Sequence, residues 1–567
     1  MALESAFQKV EEEIISGKYV FGLAHYEMGL VLQSYFLRLS KELPEGCLLC
    51  EFFIFSQMER ITYVNPTLSE LDDSRVIGCS PNQSRSEYID ALKLVKSYLE
   101  EGESYELNYT FAANIEAKGN PFLLYQKLKR KQRTKCSAYC YSSDEYIISL
   151  SPEKFWEIEG NHIKTFPMKG TSKRKPICLE DVENAKALTS SEKERAENVM
   201  ITDLFRNDLG KICEIGSVVV PSLFLTEPFE SVWQMTSEIE GIMLKGTSLF
   251  ELFVTLFPSG SVTGAPKIRS MELLHSLEKR NRGIYTGSIF TFHRNGPRLL
   301  AKANVAIRTL VLRDKNDRLA GTYSVGSGVT VLSEPEREYD ECLSKLTFLT
   351  SSDSPDFEIL ETIRFYNGRY RFLRYHLLRM HNSSFRLGFP FSEEKAMEAL
   401  KSISQVASGL LRIRLLLNRK GDFRAESFDF TRTNKKRSVK LSFAHKTISS
   451  EDLFLYHKTT IRDYYTSELE VASKEGSEDV ILLDELGNIS ETCLRNIFYR
   501  NDGKWFTPSL QKGGLPGTLR QKLIEKKWVT IQDLNANELI NAEQILVGNS
   551  LRGLERVSLD PLQNKST

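Results

Sequence analysis

Phe166-Pro167-Met168-Lys169-Gly170-Thr171 is the stretch on which the reading of this chain turns. A short strand carrying Ile163 and Thr165 runs into a Pro-x-Lys-Gly-Thr turn. The turn sets one lysine at a strand end, and Gly170 lets backbone or ligand come close. Alone, a lysine beside a glycine is an ordinary solvated loop residue. The motifs downstream of it give it weight.

Ser191 to Phe205 has helical periodicity, with Met200, Leu204 and Phe205 apolar and Gly210 as the expected stop. Glu194 and Glu197 fall one turn apart on one face, where like charges repel unless a cation lies between them. A charged, solvated helix face accounts for that pair by itself. Ser259-Gly260-Ser261-Val262-Thr263-Gly264-Ala265-Pro266-Lys267 reads as a loop entering a helix. Such a junction offers free N–H groups to an anion. It is not a nucleotide P-loop, because the Gly-Lys-Ser/Thr ending is missing. Arg308 stands in an otherwise apolar strand, Val305 to Leu310, and a buried arginine calls for a partner, most naturally a carboxylate. Beyond Gly326-Ser327-Gly328, Glu338 and Glu341 form a second carboxylate pair at one-turn spacing. Two such pairs favour a hard divalent cation held through oxygen, Mg2+ above all.

In order along the chain, Lys193-Glu194-x-x-Glu197-Asn198-x-Met200, Asp203-Leu204-x-Arg206-Asn207-Asp208-Leu209-Gly210, Gly264-Ala265-Pro266-Lys267, Arg282-Gly283-x-Tyr285-x-Gly287 and Ala306-Ile307-Arg308-Thr309 resemble the chorismate-utilising enzymes. That family includes anthranilate synthase component I and aminodeoxychorismate synthase component I. The resemblance is strong over about residues 100–350 and weaker before. It implies Mg2+ bridging substrate to Glu197 and Glu341, with Glu194 and Glu338 in support. It implies Arg308, Tyr285 and the Gly326-Ser327-Gly328 backbone at the substrate carboxylates, with Thr263 and Thr171 also at the substrate. Lys169 resembles the aminodeoxychorismate branch. There the lysine adds to C2 of chorismate as the C4 hydroxyl leaves, and ammonia then enters at C4. Such chemistry needs a neutral amine, so the lysine pKa should fall below its usual value of about 10.4. Val232-Trp233-Gln234-Met235 departs from the anthranilate-type pattern, which has histidine where Gln234 stands. Glutamine is no general acid, so Lys267 or metal-bound water is the expected proton source.

The 567 residues exceed one core and suggest about two to four domains. With 41% apolar residues, 26% charged residues and no net charge, nothing points to nucleic acid or to an anionic membrane surface. No apolar run reaches the length of a membrane span, and the acidic N-terminus has no signal-peptide core. Nine scattered cysteines fit reduced thiols in a cytoplasmic protein. No cysteine lies in a Gly-x-Cys-x-Gly setting. The chain is therefore expected to lack a glutaminase domain of the usual type. The resemblance to the chorismate-utilising enzymes implies ammonia from a separate glutamine amidotransferase subunit, or free in solution.

A polar stretch at 351–356 divides a chorismate-binding domain (1–350) from a second domain (357–567). Phe357 to Arg364 reads as a strand, Asn367-Gly368 as a hairpin turn, and Phe372 to Ser384 as a helix in which His376 is a packing or surface residue. Three later signals carry chemistry. Lys458 follows an apolar stretch, Leu453 to Leu455. Asp479 to Leu483 is a buried strand, followed by a turn and Glu491. Gly513-Gly514-Leu515-Pro516-Gly517-Thr518 opens a helix with a phosphate-type cradle. Each also has a plain structural reading. Together they resemble the fold-type IV pyridoxal-phosphate family, which holds branched-chain and D-amino-acid aminotransferases and aminodeoxychorismate lyase. The resemblance implies Lys458 as the cofactor-bearing lysine and Glu491 at the pyridine nitrogen. Arg379, Gly517, Thr518 and Ser550 would hold the phosphate, and a homodimer would form through this domain. The expected fold is α+β: an N-terminal chorismate-binding two-sheet sandwich and a C-terminal fold-type IV domain. The expected chemistry is synthesis of 4-aminobenzoate by amination and then pyruvate elimination. The alternatives are an anthranilate synthase-like enzyme fused to a true class IV aminotransferase, and a C-terminal domain that only binds or stabilises.

Overall fold

In the computed structural model, every residue is described except 1, 34–40, 62–70, 72, 133, 352–355, 405–408, 432–436 and 560–567. Most of the expected 351–356 linker therefore lies outside the described residues. The chain forms two compact units. One contains Met1–Lys173 and Ala185–Ser354; the other contains Arg174–Asn184 and Pro355–Thr567. Residues 174–184, expected in the first domain, belong to the second unit. The partly buried Ile177 packs against the core cluster that includes Tyr465, Val480 and Leu482, Arg386 donates to Lys175 O at 2.6 Å, and His457 Nε2 lies 3.1 Å from Pro176 O.

The first unit has two antiparallel sheets among the described residues. In the nine-stranded sheet the strand Val232–Ile242 pairs with His162–Thr165 and, further along, with Met168–Lys173. Phe7, Trp156, Phe253, Phe290 and Phe292 build the core against this sheet. Cys50–Phe55 forms an edge strand with Ile54 and Phe55 exposed. In the seven-stranded sheet the long strand Glu106–Lys118 pairs with Arg318–Val329, setting Gly328 opposite Asn108. Ser191 caps the helix Glu192–Gly210, its hydroxyl accepting from the Glu194 amide. Gly210 is the last helical residue and not a left-handed stop.

Among the described residues the second unit has a four-stranded antiparallel sheet and an eight-stranded mixed sheet. Ile359–Tyr366 and Arg369–Tyr370 form the expected hairpin. Asn367 and Gly368 both have positive φ (44° and 78°), as a two-residue turn between twisted strands requires. The helix Leu373–Leu387 comes next and buries His376 and Arg379 against that sheet.

Candidate active sites

Lys169 lies in the strand Met168–Lys173 and forms an ion pair with Glu106, at the start of the strand Glu106–Lys118. The pair is enclosed: the Glu106 side chain is 2% exposed and that of Lys169 13%. Gly328 closes one side, where an added methyl would overlap both the Glu106 carboxylate and the Lys169 amine. Glu153 and Glu197 also act on Lys169 electrostatically. Burial alone would lower the lysine pKa, but Glu106 overrides it, and the pKa is raised. This corrects the expected fall: the ammonium has a carboxylate partner that the turn sequence does not reveal. Glu153 is itself buried. Burial pushes its carboxyl up to about 7, although the Ser261 hydroxyl donates to it at 2.5 Å.

Other expected site residues take places of their own. Gln234 pairs with Thr171 across the sheet and donates to the Gly170 carbonyl at 3.1 Å, so it fastens the lysine turn and needs no acid function. The Lys267 amine meets Asp208 at 2.6 Å and the Leu256 and Thr255 carbonyls at 3.0 and 3.4 Å. Those contacts use its N–H groups in joining neighbouring helices, and none is left for a leaving hydroxyl. The Thr263 hydroxyl donates to Ser259 O at 3.1 Å, and Gly264–Ala265 pairs with Glu106–Leu107 as a short strand. The expected anion-binding loop is therefore largely committed to the sheet. Arg308 is not within a strand. It occupies a bend with φ 50°, and its guanidinium meets the Gln132 amide oxygen at 2.7 Å, not a carboxylate. Tyr285 is buried, and burial pushes its hydroxyl pKa up. The ladder from Arg318–Val329 to Thr309–Lys315 stops at Tyr323, so Gly326, Ser327 and Gly328 have a strand partner on one edge only.

In the second unit, Lys458, Glu491, Arg379, Gly517, Thr518 and Ser550 line one cavity of about 460 Å3. Burial, then the charges of Arg462 and Arg379, bring the Lys458 amine down to about 7. Burial pushes Glu491 up to about 8. Arg379 makes a bidentate pair with Glu361, both contacts 2.7 Å. His376 Nδ1 meets the same carboxylate at 2.6 Å, and its Nε2 lies 3.4 Å from Thr518 Oγ1. Burial would raise the Glu361 pKa, but Arg379 and His376 hold it at about 2. Glu361 and His376 thus stand directly behind two of the expected phosphate ligands. The motifs assign this task to neither residue, although a glutamate inside the apolar run Ile359 to Ile363 is a visible signal.

The family model for chorismate binding enzymes matches residues 2–351. The chain belongs to that family. A second family model, amino-transferase class IV, matches residues 358–559. Aminodeoxychorismate synthase component 1 of Salmonella typhimurium is 36% identical over 265 residues, which is 47% of this chain and 57% of that protein. An anthranilate synthase component 1 of Haloarcula marismortui is also 36% identical over 265 residues, 47% of this chain and 51% of that protein. The chain thus spans little more than half the length of either relative. A solved structure from Legionella pneumophila, described as a 4-amino-4-deoxychorismate lyase, is 22% identical and covers 36% of this chain and 84% of its own, with TM-score 0.33.

The donors suit the groups these families use. Burial raises the Glu197 pKa; Lys169 opposes that shift, and the charges of Glu106 and Glu194 add to it, a repulsion that a divalent cation relieves. Glu341 faces Lys345, Lys169 and Lys193. Among the described residues no group of three or more His, Cys, Asp or Glu side chains is arranged to hold a metal ion by itself. Mg2+ commonly takes only one or two protein carboxylates, with water and substrate completing its shell. In the second unit, cavity size, a lysine with a lowered pKa and Arg379, whose guanidinium donates to Pro516 O at 3.2 Å just before the helix Thr518–Glu525, fit pyridoxal phosphate.

Proposed function

We propose that the chain makes 4-aminobenzoate from chorismate, by amination in the first unit and pyruvate elimination in the second. The observation that carries this reading is Lys169: a buried amine against Glu106 and Gly328, with Glu153 and Glu197 facing it. Glu106 accepts the lysine proton. The free amine then bonds to C2 of the substrate ring while the C4–oxygen bond breaks. Glu153, half protonated near neutral pH, gives its proton to the departing hydroxyl, which leaves as water. Ammonia next bonds to C4, and the C2–nitrogen bond to Lys169 breaks. Arg308 and the open edge at Gly326-Ser327-Gly328 hold the substrate carboxylates. Glu197 and Glu341 would hold Mg2+, supported by Glu194 and Glu338. Bound Mg2+ supplies neutralisation of carboxylate charge. A separate glutamine amidotransferase subunit supplies the ammonia.

In the second unit Lys458 takes a proton from C4 of the aminated product and returns it to the enol carbon as pyruvate leaves, which aromatises the ring. Pyridoxal phosphate, when bound there, supplies the electron sink. Glu491 would face its ring nitrogen, with Arg379, Gly517, Thr518 and Ser550 at its phosphate.

A second reading, amination at the ortho position followed by a true aminotransferase, is favoured by the Haloarcula match. The test supplies the chain, loaded with pyridoxal phosphate, with chorismate, Mg2+ and ammonium. Release of 4-aminobenzoate and pyruvate is expected, while glutamine alone gives none. Formation of 2-aminobenzoate overturns the proposal.

A further inference from the structure

The cavity around Lys458 carries more cationic charge than a cofactor phosphate needs. Arg412 and Arg414 alternate along the strand Leu410–Leu417, whose other face sends Leu411, Ile413 and Leu415 into the core. Thr362, directly opposite Arg414, lines the cavity with both arginines. Arg414 has a carboxylate, Glu426, at 3.6 Å. Arg412 has none. Its cross-strand neighbour is Phe428, over whose ring the guanidinium lies at 4.7 Å. Its Nε is buried without a hydrogen-bond partner among the described residues. Arg552, which also lines the cavity, stands 5.8 Å over Phe430, two residues further along the same segment. Among the described residues neither Arg412 nor Arg552 makes an ion pair with a carboxylate. Three guanidinium groups thus border the cavity without an ion-paired carboxylate among the described residues: Arg412, Arg552 and Arg462, the last of which is held by the Cys493 carbonyl at 2.9 Å. Arg412 and Arg552 are half-buried, and unpaired charge there is relieved when an anion enters with the ligand. The expected phosphate ligands are distinct from these two residues, and the arginine among them, Arg379, is already neutralised by Glu361.

We infer that Arg412 and Arg552 bind carboxylates of the substrate, and that the Lys458 site selects an amine bearing two carboxylates over a simple amino acid. The inference rests on the proposed function and names what gives that site its specificity. The planar guanidinium suits a bidentate carboxylate contact, and the aromatic rings beneath hold it in place.

The test uses the full chain loaded with pyridoxal phosphate and supplied with 4-amino-4-deoxychorismate. Arg412→Gln should raise KM for pyruvate release at least about tenfold and change kcat less than about threefold, and Arg412→Lys should recover part of the loss. Isophthalate, a benzene dicarboxylate, should inhibit the parent more strongly than benzoate, and Arg412→Gln should erase the difference. Cofactor absorbance of the loaded variant should match the parent. An unchanged KM, or loss of cofactor binding in Arg412→Gln, overturns the inference. Failure of the parent itself to release pyruvate would instead overturn the proposed function.

Discussion

Lys169 and Glu106 form one buried ion pair although they lie 63 positions apart in the chain. The lysine is therefore stored as an ammonium, with its pKa raised, and the carboxylate that holds the proton in place is also its nearest acceptor. The second Glu106 oxygen is buried without a hydrogen-bond partner among the described residues. Any rearrangement that brings substrate to the amine changes the balance of this pair first.

Glu106→Gln should consequently lower amination at pH 7 by about a hundredfold, the range of a lost general base. Solvent must then remove the lysine proton, and without the Glu106 charge burial lowers the Lys169 pKa, so the loss should shrink as pH rises. Lys169→Ala should abolish amination at every pH, while pyruvate release from supplied 4-amino-4-deoxychorismate continues. A Glu106→Gln profile that coincides with the parent would remove Glu106 from the reaction.

Gly328→Ala places a methyl where the Lys169 amine and the Glu106 carboxylate meet. Gly328 does not have a positive φ, so backbone strain is not the issue. The expected result is at least a hundredfold loss of amination, since a displacement of about 1 Å at a reacting group has that effect. Circular dichroism and melting temperature should stay close to the parent. A well-folded, fully active variant would show that the amine works from another position.

Lys458 should bind its cofactor faster as pH rises through about 7. Below that value the amine is protonated, and the loading rate should fall about tenfold per pH unit. Absorbance after mixing with pyridoxal phosphate measures this. Lys458→Ala should give no such signal and should accumulate 4-amino-4-deoxychorismate from chorismate and ammonium. A loading rate that is flat between pH 5 and 8, about the span in which near-neutral groups titrate, would contradict the lowered pKa.

Glu361→Gln leaves Arg379 and His376 buried without their shared carboxylate. Breaking such a network should destabilise the second unit by about 3–5 kcal/mol, read from urea unfolding. The pH dependence has a definite sign. The folded pKa of Glu361 is about 2, below its ordinary 4.5. Its contribution is complete above 4.5 and is lost as pH falls toward about 2. The parent should lose stability across that acid window more steeply than Glu361→Gln. Parallel acid profiles would exclude the pairing.

Local sequence carries much of this architecture. The Asn367-Gly368 hairpin, the Ser191-capped helix and the buried strand before Glu491 each arise from residues within a few positions of one another, whereas the expected turn at Lys169 is a strand, Met168–Lys173, paired with the distant Val232–Ile242. Turn chemistry, capping and apolar periodicity act over that range. The charge state of Lys169, the committed contacts of Lys267, the bend at Arg308 and the Glu361–His376 support beneath Thr518 are not legible in the same way. Each depends on a partner that a sheet or a helix packing brings from a distant part of the chain. Burial makes such partners decisive, because an ion stripped of water takes its protonation from whatever charge lies within a few ångströms. Residue order alone settles which reactive groups exist and on which elements they stand. The counter-charges they meet are settled by folding, since electrostatic energy depends on distance through space and not along the chain.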